Sequence, residues 1–195
     1  MLTATDTKYY TPEEYLALEE TSEDKNEYRQ GEIIPMVGAT TNHNQICLNF
    51  CRNFPLNINN QDYYTYMETV RLWLSDYSIY TYPDVMVIQG QPLYQGNSQS
   101  NVINPLIIVE VLSNSTQAYD RGDKFKFYRS LPTFQEYILI EQSSYSLERY
   151  YKQKDDQWLI DFCTGENAVL QLLSVDWQIS FQDLYQRVNF DLAET

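Results

Sequence analysis

The sequence predicts an α/β protein: a mixed central sheet of about five strands, helices on both faces and a C-terminal β-hairpin. Three observations carry this. Leu106-Ile107-Ile108-Val109-Glu110-Val111-Leu112 is almost wholly aliphatic, as a strand covered on both faces must be. From Asp84 to Ile140 the pattern runs strand, loop, strand, helix, strand. The helix starts also carry their own punctuation, with cap residues where orphan backbone N–H groups need acceptors.

The first helix opens at Thr11-Pro12-Glu13-Glu14, with Thr as cap, Pro at the first helical position and Glu14 closing a capping box. It runs to about Glu20 and offers Tyr15, Leu16 and Leu18 as its apolar face. Asn26 to Met36 reads as a hairpin across Gln30-Gly31. Thr40 to Phe54 carries Ile46, Phe50 and Phe54 at helical spacing, so a second helix packs on the sheet. Tyr63 to Met67, Val70 to Leu74 and Asp84 to Ile88 are short strands. Gln89 to Asn104, rich in Gly, Gln, Asn and Ser, is an exposed loop.

After the aliphatic strand, Lys124 to Ser130 is helical and Leu131-Pro132 ends it. Glu136 to Ile140 is another buried strand. Tyr145 to Tyr151 and Trp158 to Phe162 form a hairpin around Lys154-Asp155-Asp156, and a short helix starts near Ser180. Consecutive strands tend to be neighbours, so the strands bearing Asp84 and Glu110 are expected side by side.

Bulk properties narrow the class. The 195 residues suit one domain, 1–195, large enough for a core without disulfides. Cys47, Cys51 and Cys163 form no Cys-x-x-Cys pair. Cys47 and Cys51 share a predicted helix face and read as small buried apolar residues in preference to soft-metal ligands. No apolar run has the length of a membrane span, and the first residues lack a signal peptide's basic start and apolar block. A soluble, cytoplasmic protein without a membrane partner is the expectation. Against 13 Lys+Arg stand 27 Asp+Glu, a formal net charge of −14 that repels a polyanion at long range. Basic residues nevertheless cluster from Arg121 to Arg129.

The chemistry gathers in the same region. Asp84 opens one apolar segment and Glu110 sits near the end of another, so adjacent strands would hold two carboxylates around one hard divalent cation. A lysine from the following helix supplies a charge that organises an attacking water. That combination reads as a metal-dependent nuclease centre. Glu110 carries the stronger argument, because a carboxylate in an aliphatic run must be paired or end the buried stretch. Asp84 taken alone reads as a solvated strand end ahead of a functional group. His43, the only histidine, reads as a capping or packing residue ahead of a base or a substrate-stacking group. Ser113, Ser115 and Thr116 either bind phosphate or shape a turn, and nothing local points Gln142 at the site. The 18 tyrosines fit core and interface uses, with Tyr77 to Tyr82 and Tyr145 to Tyr151 as exposed dimer candidates.

Six pieces in order resemble the Uma-two family of restriction-endonuclease-like proteins, in the PD-(D/E)XK nuclease superfamily. They are Tyr28-Arg29-Gln30-Gly31-Glu32, the helix opening with His43, Pro83-Asp84-Val85, Glu110-Val111-Leu112-Ser113 with Ser115-Thr116, Asp120 through Tyr128, and Glu136-Tyr137. The likeness covers the chain from Tyr10 to about Tyr150. It implies a restriction-endonuclease-like core, a Mg²⁺ site with Mn²⁺ as the alternative, a homodimer, and a nucleic-acid substrate with DNA ahead of RNA. Asp84, Glu110 and Lys124 are then the expected catalytic residues. The metal would be held by Asp84, Glu110 and the backbone carbonyl of Val111, with Glu27 joining through water. One position departs from the superfamily pattern: Leu112 stands where a lysine belongs on the strand. Lys124 takes that function in this reading. Helical geometry sets it on one face with Tyr128 and turns Lys126 away. Two other classes stay open: a catalytically silent nuclease-like module that binds nucleic acid or a protein, and a glycosidase using Asp84 and Glu110 as its acid pair, where the lysine has no role.

Overall fold

Thr11 and Glu14 exchange hydrogen bonds across the first turn of α1 (Pro12–Glu19), at 2.7 Å and 3.2 Å. The computed structural model in which they do so describes residues 8–191. Tyr15 is the buried residue of α1, stacked with Tyr28 and Tyr80 at 5.3 Å each, and its hydroxyl donates to the Asn26 carbonyl at 2.5 Å. Leu18, expected on the apolar face, is exposed: the helix is held by one aromatic wedge instead of a stripe. The hairpin of β1 (Asn26–Arg29) and β2 (Glu32–Pro35) turns on Gln30 and Gly31, both at positive φ, as a two-residue hairpin loop demands. A side chain at Gly31 would also strike the Tyr9 ring, 2.7 Å from where its Cβ would lie. α2 (Thr41–Asn53) is capped by Thr40, whose hydroxyl accepts from His43 N–H at 3.1 Å.

The main sheet has seven strands rather than five. In chain order these are β3 (Asn57–Ile58), β4 (Gln61–Met67), β7 (Val85–Gln89), β9 (Ile107–Leu112), β10 (Glu136–Glu141), β11 (Ser146–Lys152) and β12 (Trp158–Thr164). Their spatial order is β12-β11-β10-β9-β7-β4-β3. Only β9 and β10 are parallel, so a crossover must join them, and the helical run 117–128 is that crossover. The Asp84 and Glu110 strands are neighbours, with Val85 opposite Val109.

A second sheet, β2-β1-β6-β5-β8, adds β5 (Arg71–Leu74), β6 (Ile79–Thr81) and β8 (Asn101–Val102), the last inside the stretch expected to be a loop. β6 corrects another expectation: Ile79, Tyr80 and Tyr82 are buried, not an exposed interface, and so is Tyr150. A small pair, β13 (Val169–Gln171) and β14 (Gln178–Ser180), precedes α5 (Phe181–Leu184).

Alternation along the strands decides where the chemistry goes. Val109 and Val111 face α2 and α5, packing with Ile46, Cys47, Phe50 and Phe181. Ile108 and Leu112 face the opposite layer, with Tyr128, Phe134 and Tyr137. Glu110 shares their parity and is therefore driven into that second layer. All six residues of β9 are buried, so the carboxylate cannot reach bulk water. Its partners have to come from the protein.

Candidate active site

Those partners come from the crossover. It begins at Gln117, earlier than the expected Lys124, as α3 (Gln117–Tyr119), widens into a π turn over Asp120–Lys124, and continues as α4 (Phe125–Tyr128). Widened turns of this kind often sit at functional sites. Lys124 Nζ lies 3.0 Å from Glu110 Oε1 and 3.0 Å from Asp120 Oδ1. Tyr128, one turn on, donates its hydroxyl to the same Glu110 oxygen at 2.7 Å. Lys126 is exposed on the far side, as helical geometry requires.

Asp84 closes the group from β7. Its Oδ2 accepts the Val111 N–H at 2.7 Å and faces His43 Nε2 at 2.9 Å. Its own N–H points at Glu110 Oε2, 3.4 Å away. In a strand the N–H and C=O of one residue leave on the same side, so the Val111 carbonyl points to the flank where Asp84 lies. The structure thus brings Asp84, Glu110, Val111 and Lys124 together. Glu27 makes its hydrogen bonds outside this group: one oxygen accepts the Thr81 hydroxyl, the other an Arg29 nitrogen at 2.5 Å.

Burial and mutual repulsion set the electrostatics. Burial pushes the Glu110 carboxyl well above its ordinary pKa; Lys124 opposes this, while Asp84 and Asp120 add to it. Burial works against the Lys124 charge too, but Glu110, Asp120 and Glu27 outweigh it and keep the ammonium protonated. Burial would also raise Glu27, yet Lys124 and the bonds from Thr81 and Arg29 hold it below its ordinary value. For His43, burial favours the neutral ring, and Asp84 with Glu68 more than reverses that. Several carboxylates therefore crowd a single lysine.

Two residues were not assigned to this cluster by the sequence. His43 is not the cap of α2, which is Thr40, and its ring meets Asp84. The sign was present: it continues the buried stripe of Cys47, Phe50 and Phe54 at helical spacing. Asp120 stands one helical turn before Lys124, the spacing of an ion pair. Gln142 has a positioning part: its amide donates to the Leu112 carbonyl at 2.9 Å and its oxygen accepts the Thr40 hydroxyl. That fastens the capped end of α2, and His43 with it, to the end of β9. Ser113 meets Ser115 and Thr116 at 3.0 Å each, which is turn chemistry.

The chain has relatives. A family model described as "Uma2: Putative restriction endonuclease" matches residues 12–182, and the chain belongs to that family. It is 45% identical over 171 residues to the uncharacterized protein sll1609 of Synechocystis sp. (strain ATCC 27184 / PCC 6803 / Kazusa), covering 88% of this chain and 97% of the relative. A second uncharacterized protein of the same organism, slr1290, is 36% identical over 180 residues, 92% of this chain and 93% of its own. The fold matches a crystal structure described as a putative nuclease belonging to DUF820 from Anabaena variabilis ATCC 29413. The TM-score is 0.67 at 18% identity, over 90% of this chain and 97% of that one.

The cluster makes a direct electrostatic prediction for the metal-free chain. Carboxyl-carbon NMR should find Glu110 titrating above the ordinary value near 4.3. Lys124→Met should move it further up, because the ammonium holds it down. With the native pKa above the unfolded one, the group favours folding below the unfolded value and loses that contribution as pH rises through the native one. A Glu110 that titrates at or below the ordinary value would contradict the buried, crowded environment.

Proposed function

We propose that this chain is a Mg²⁺-dependent endonuclease that hydrolyses phosphodiester bonds of nucleic acid, DNA ahead of RNA, in the cytoplasm. Asp84, Glu110 and Lys124 carry the chemistry. One observation supports this most. Asp84 uses Oδ2 for His43 and Val111, and Glu110 uses Oε1 for Lys124 and Tyr128. The other oxygens, Asp84 Oδ1 and Glu110 Oε2, meet no side-chain donor among the described residues, and only the long contact from Asp84 N–H touches Oε2. On neighbouring strands, these two carboxylate oxygens and the Val111 carbonyl on the same flank would offer a hard cation its ligands.

Mg²⁺ held there, or Mn²⁺ on the same ligands, would lower the pKa of a bound water and neutralise charge on the phosphate oxygens. The protein's own part is orientation. His43 and the Val111 N–H fix the Asp84 carboxylate from behind, and Tyr128 fixes Glu110. Lys124, clamped by Glu110 and Asp120, keeps an ammonium at the edge of the carboxylate pair. There it holds an attacking water or steadies charge building on the phosphate, tasks for which a point charge suffices. With both oxygens engaged by Thr81 and Arg29, Glu27 is left an outer role through water.

The net charge of −14 supports a second reading, a silent nuclease-like module that binds nucleic acid or a protein. Cleavage of single-stranded DNA, duplex DNA and RNA with Mg²⁺ or Mn²⁺ separates the two. Asp84→Ala and Glu110→Ala should abolish turnover. Lys124→Ala, with circular dichroism confirming its fold, should lose about 100- to 1000-fold, roughly 3–4 kcal/mol. Lys126→Ala should stay within about two-fold, as exposed substitutions away from a site do. Activity unmoved by Asp84→Ala and Glu110→Ala would misplace the site. Binding without cleavage of any substrate would favour the silent module.

A duplex-cutting enzyme with one site per chain works as a two-fold pair. With Tyr80, Tyr82 and Tyr150 buried, the pairing surface falls to the edge strand β12. Its Leu159, Ile160 and Phe162 are 42%, 48% and 68% exposed. Sedimentation at micromolar concentration should find twice the 23.1 kDa chain mass, reduced to one chain by Phe162→Asp. A wild type that sediments only as a single chain contradicts the dimer.

A further inference from the structure

His43 has a second ring nitrogen, and the nuclease reading makes no use of it. Nδ1 turns away from Asp84 toward two other donors. Cys47, one turn along α2, places Sγ 3.9 Å from it. Glu68, just past the end of β4, places Oε1 at the same 3.9 Å. One donor atom from each of the three residues lies within 4.8 Å of the others. Glu68 Oε1 is shut off from solvent and has no hydrogen-bond partner among the described residues. A buried carboxylate oxygen left without a donor is costly, so this atom asks for a positive partner. Cys47 is wholly buried beside it.

We propose that His43 Nδ1, Cys47 Sγ and Glu68 Oε1 form a transition-metal site, Zn²⁺ above all, with a fourth position left for water. The donor set argues for the ion. Thiolate, imidazole and carboxylate are zinc ligands, whereas Mg²⁺ keeps to oxygen. The spacing argues for the geometry. Tetrahedral zinc with ordinary bond lengths holds nitrogen and sulfur ligands roughly 3.6 Å apart. Separations of 3.9 Å need only a few tenths of an ångström of contraction. The surroundings argue for the tautomer: Asp84 Oδ2, 2.9 Å from Nε2, accepts that nitrogen's proton and leaves the Nδ1 lone pair for a metal. Binding replaces the Cys47 S–H bond with a metal–sulfur bond and, where the His43 ring is charged, its Nδ1–H bond with a metal–nitrogen bond; these protons go to solvent and no electrons are exchanged.

The site is distinct from the Asp84–Glu110 oxygen pair and stands whether or not the chain cleaves nucleic acid. Metal here would tie α2 to the end of β4 and hold the ring that backs Asp84.

Cobalt reports on it directly. The full chain, stripped with a chelator, is titrated with Co²⁺ alone. One equivalent should produce a thiolate-to-cobalt charge-transfer band, which Zn²⁺ erases and excess Mg²⁺ does not. Cys47→Ser should remove the band, while Cys51→Ser and Cys163→Ser keep it. Glu68→Gln leaves the thiol in place and keeps the side chain's size, so it should keep the band but weaken Co²⁺ binding at least ten-fold. The proposal is overturned if the wild type shows no band at saturating Co²⁺, if the band survives Cys47→Ser, or if it is lost with Cys51→Ser. Equal Co²⁺ affinity for Glu68→Gln would overturn it as well, and that arm holds even where Cys47→Ser fails to fold.

Discussion

The contact between Glu110 and Lys124 is the constraint from which the rest of the architecture follows. A carboxylate in the middle of a six-residue buried strand cannot stay charged without a partner, and an ammonium brought to it cannot stay charged without more than one. The crossover between β9 and β10 answers both needs. Its π turn lines up Asp120 and Lys124, and its last turn adds Tyr128. Losing one member of such a buried pair typically costs roughly 3–5 kcal/mol, enough to fix the register of the helix on the sheet. Position and chemistry are then the same fact: whatever holds the crossover in place also aims a lysine at two carboxylates.

The acidic balance of the chain is easier to understand once its basic residues are located. Arg121 is engaged by Glu148 at 2.7 Å and Glu141 at 2.8 Å, and Lys124 is enclosed. Of the basic cluster that the sequence places beside the site, Lys126 and Arg129 remain at the surface. Long-range attraction for a polyanion is therefore weak, and in the proposed nuclease reading any affinity for nucleic acid would fall to the site itself and to the cations it would gather. A surplus of buried carboxylate over ammonium is a natural setting for divalent metal. The same surplus recurs on the other side of His43, where Glu68 and Cys47 meet.

Much of this was legible in the sequence because it rests on local rules. Capping boxes, the Gln30-Gly31 turn and the aliphatic run of β9 are written within a few residues. The adjacency of the Asp84 and Glu110 strands follows from chain order. Helical spacing is enough to set Lys124 and Tyr128 on one face, where both meet Glu110. What escaped depends on distant partners. Tyr80 and Tyr82 look like surface tyrosines until α1 supplies Tyr15 and Glu19 to cover and bind them. Short strands such as β8 exist only because β5 pairs with them. His43 reads as a helix-start residue because its backbone N–H is the one that Thr40 caps; the meeting of its ring with Asp84 is tertiary.

Crystals soaked in Mn²⁺ and measured for anomalous scattering test the central claim most directly, since they locate the ion without requiring turnover. The account predicts a manganese peak in contact with both Asp84 and Glu110, beside the Val111 carbonyl, with Lys124 Nζ close to its open side. A saturating soak that leaves those carboxylates bare, or that places manganese only elsewhere, contradicts it.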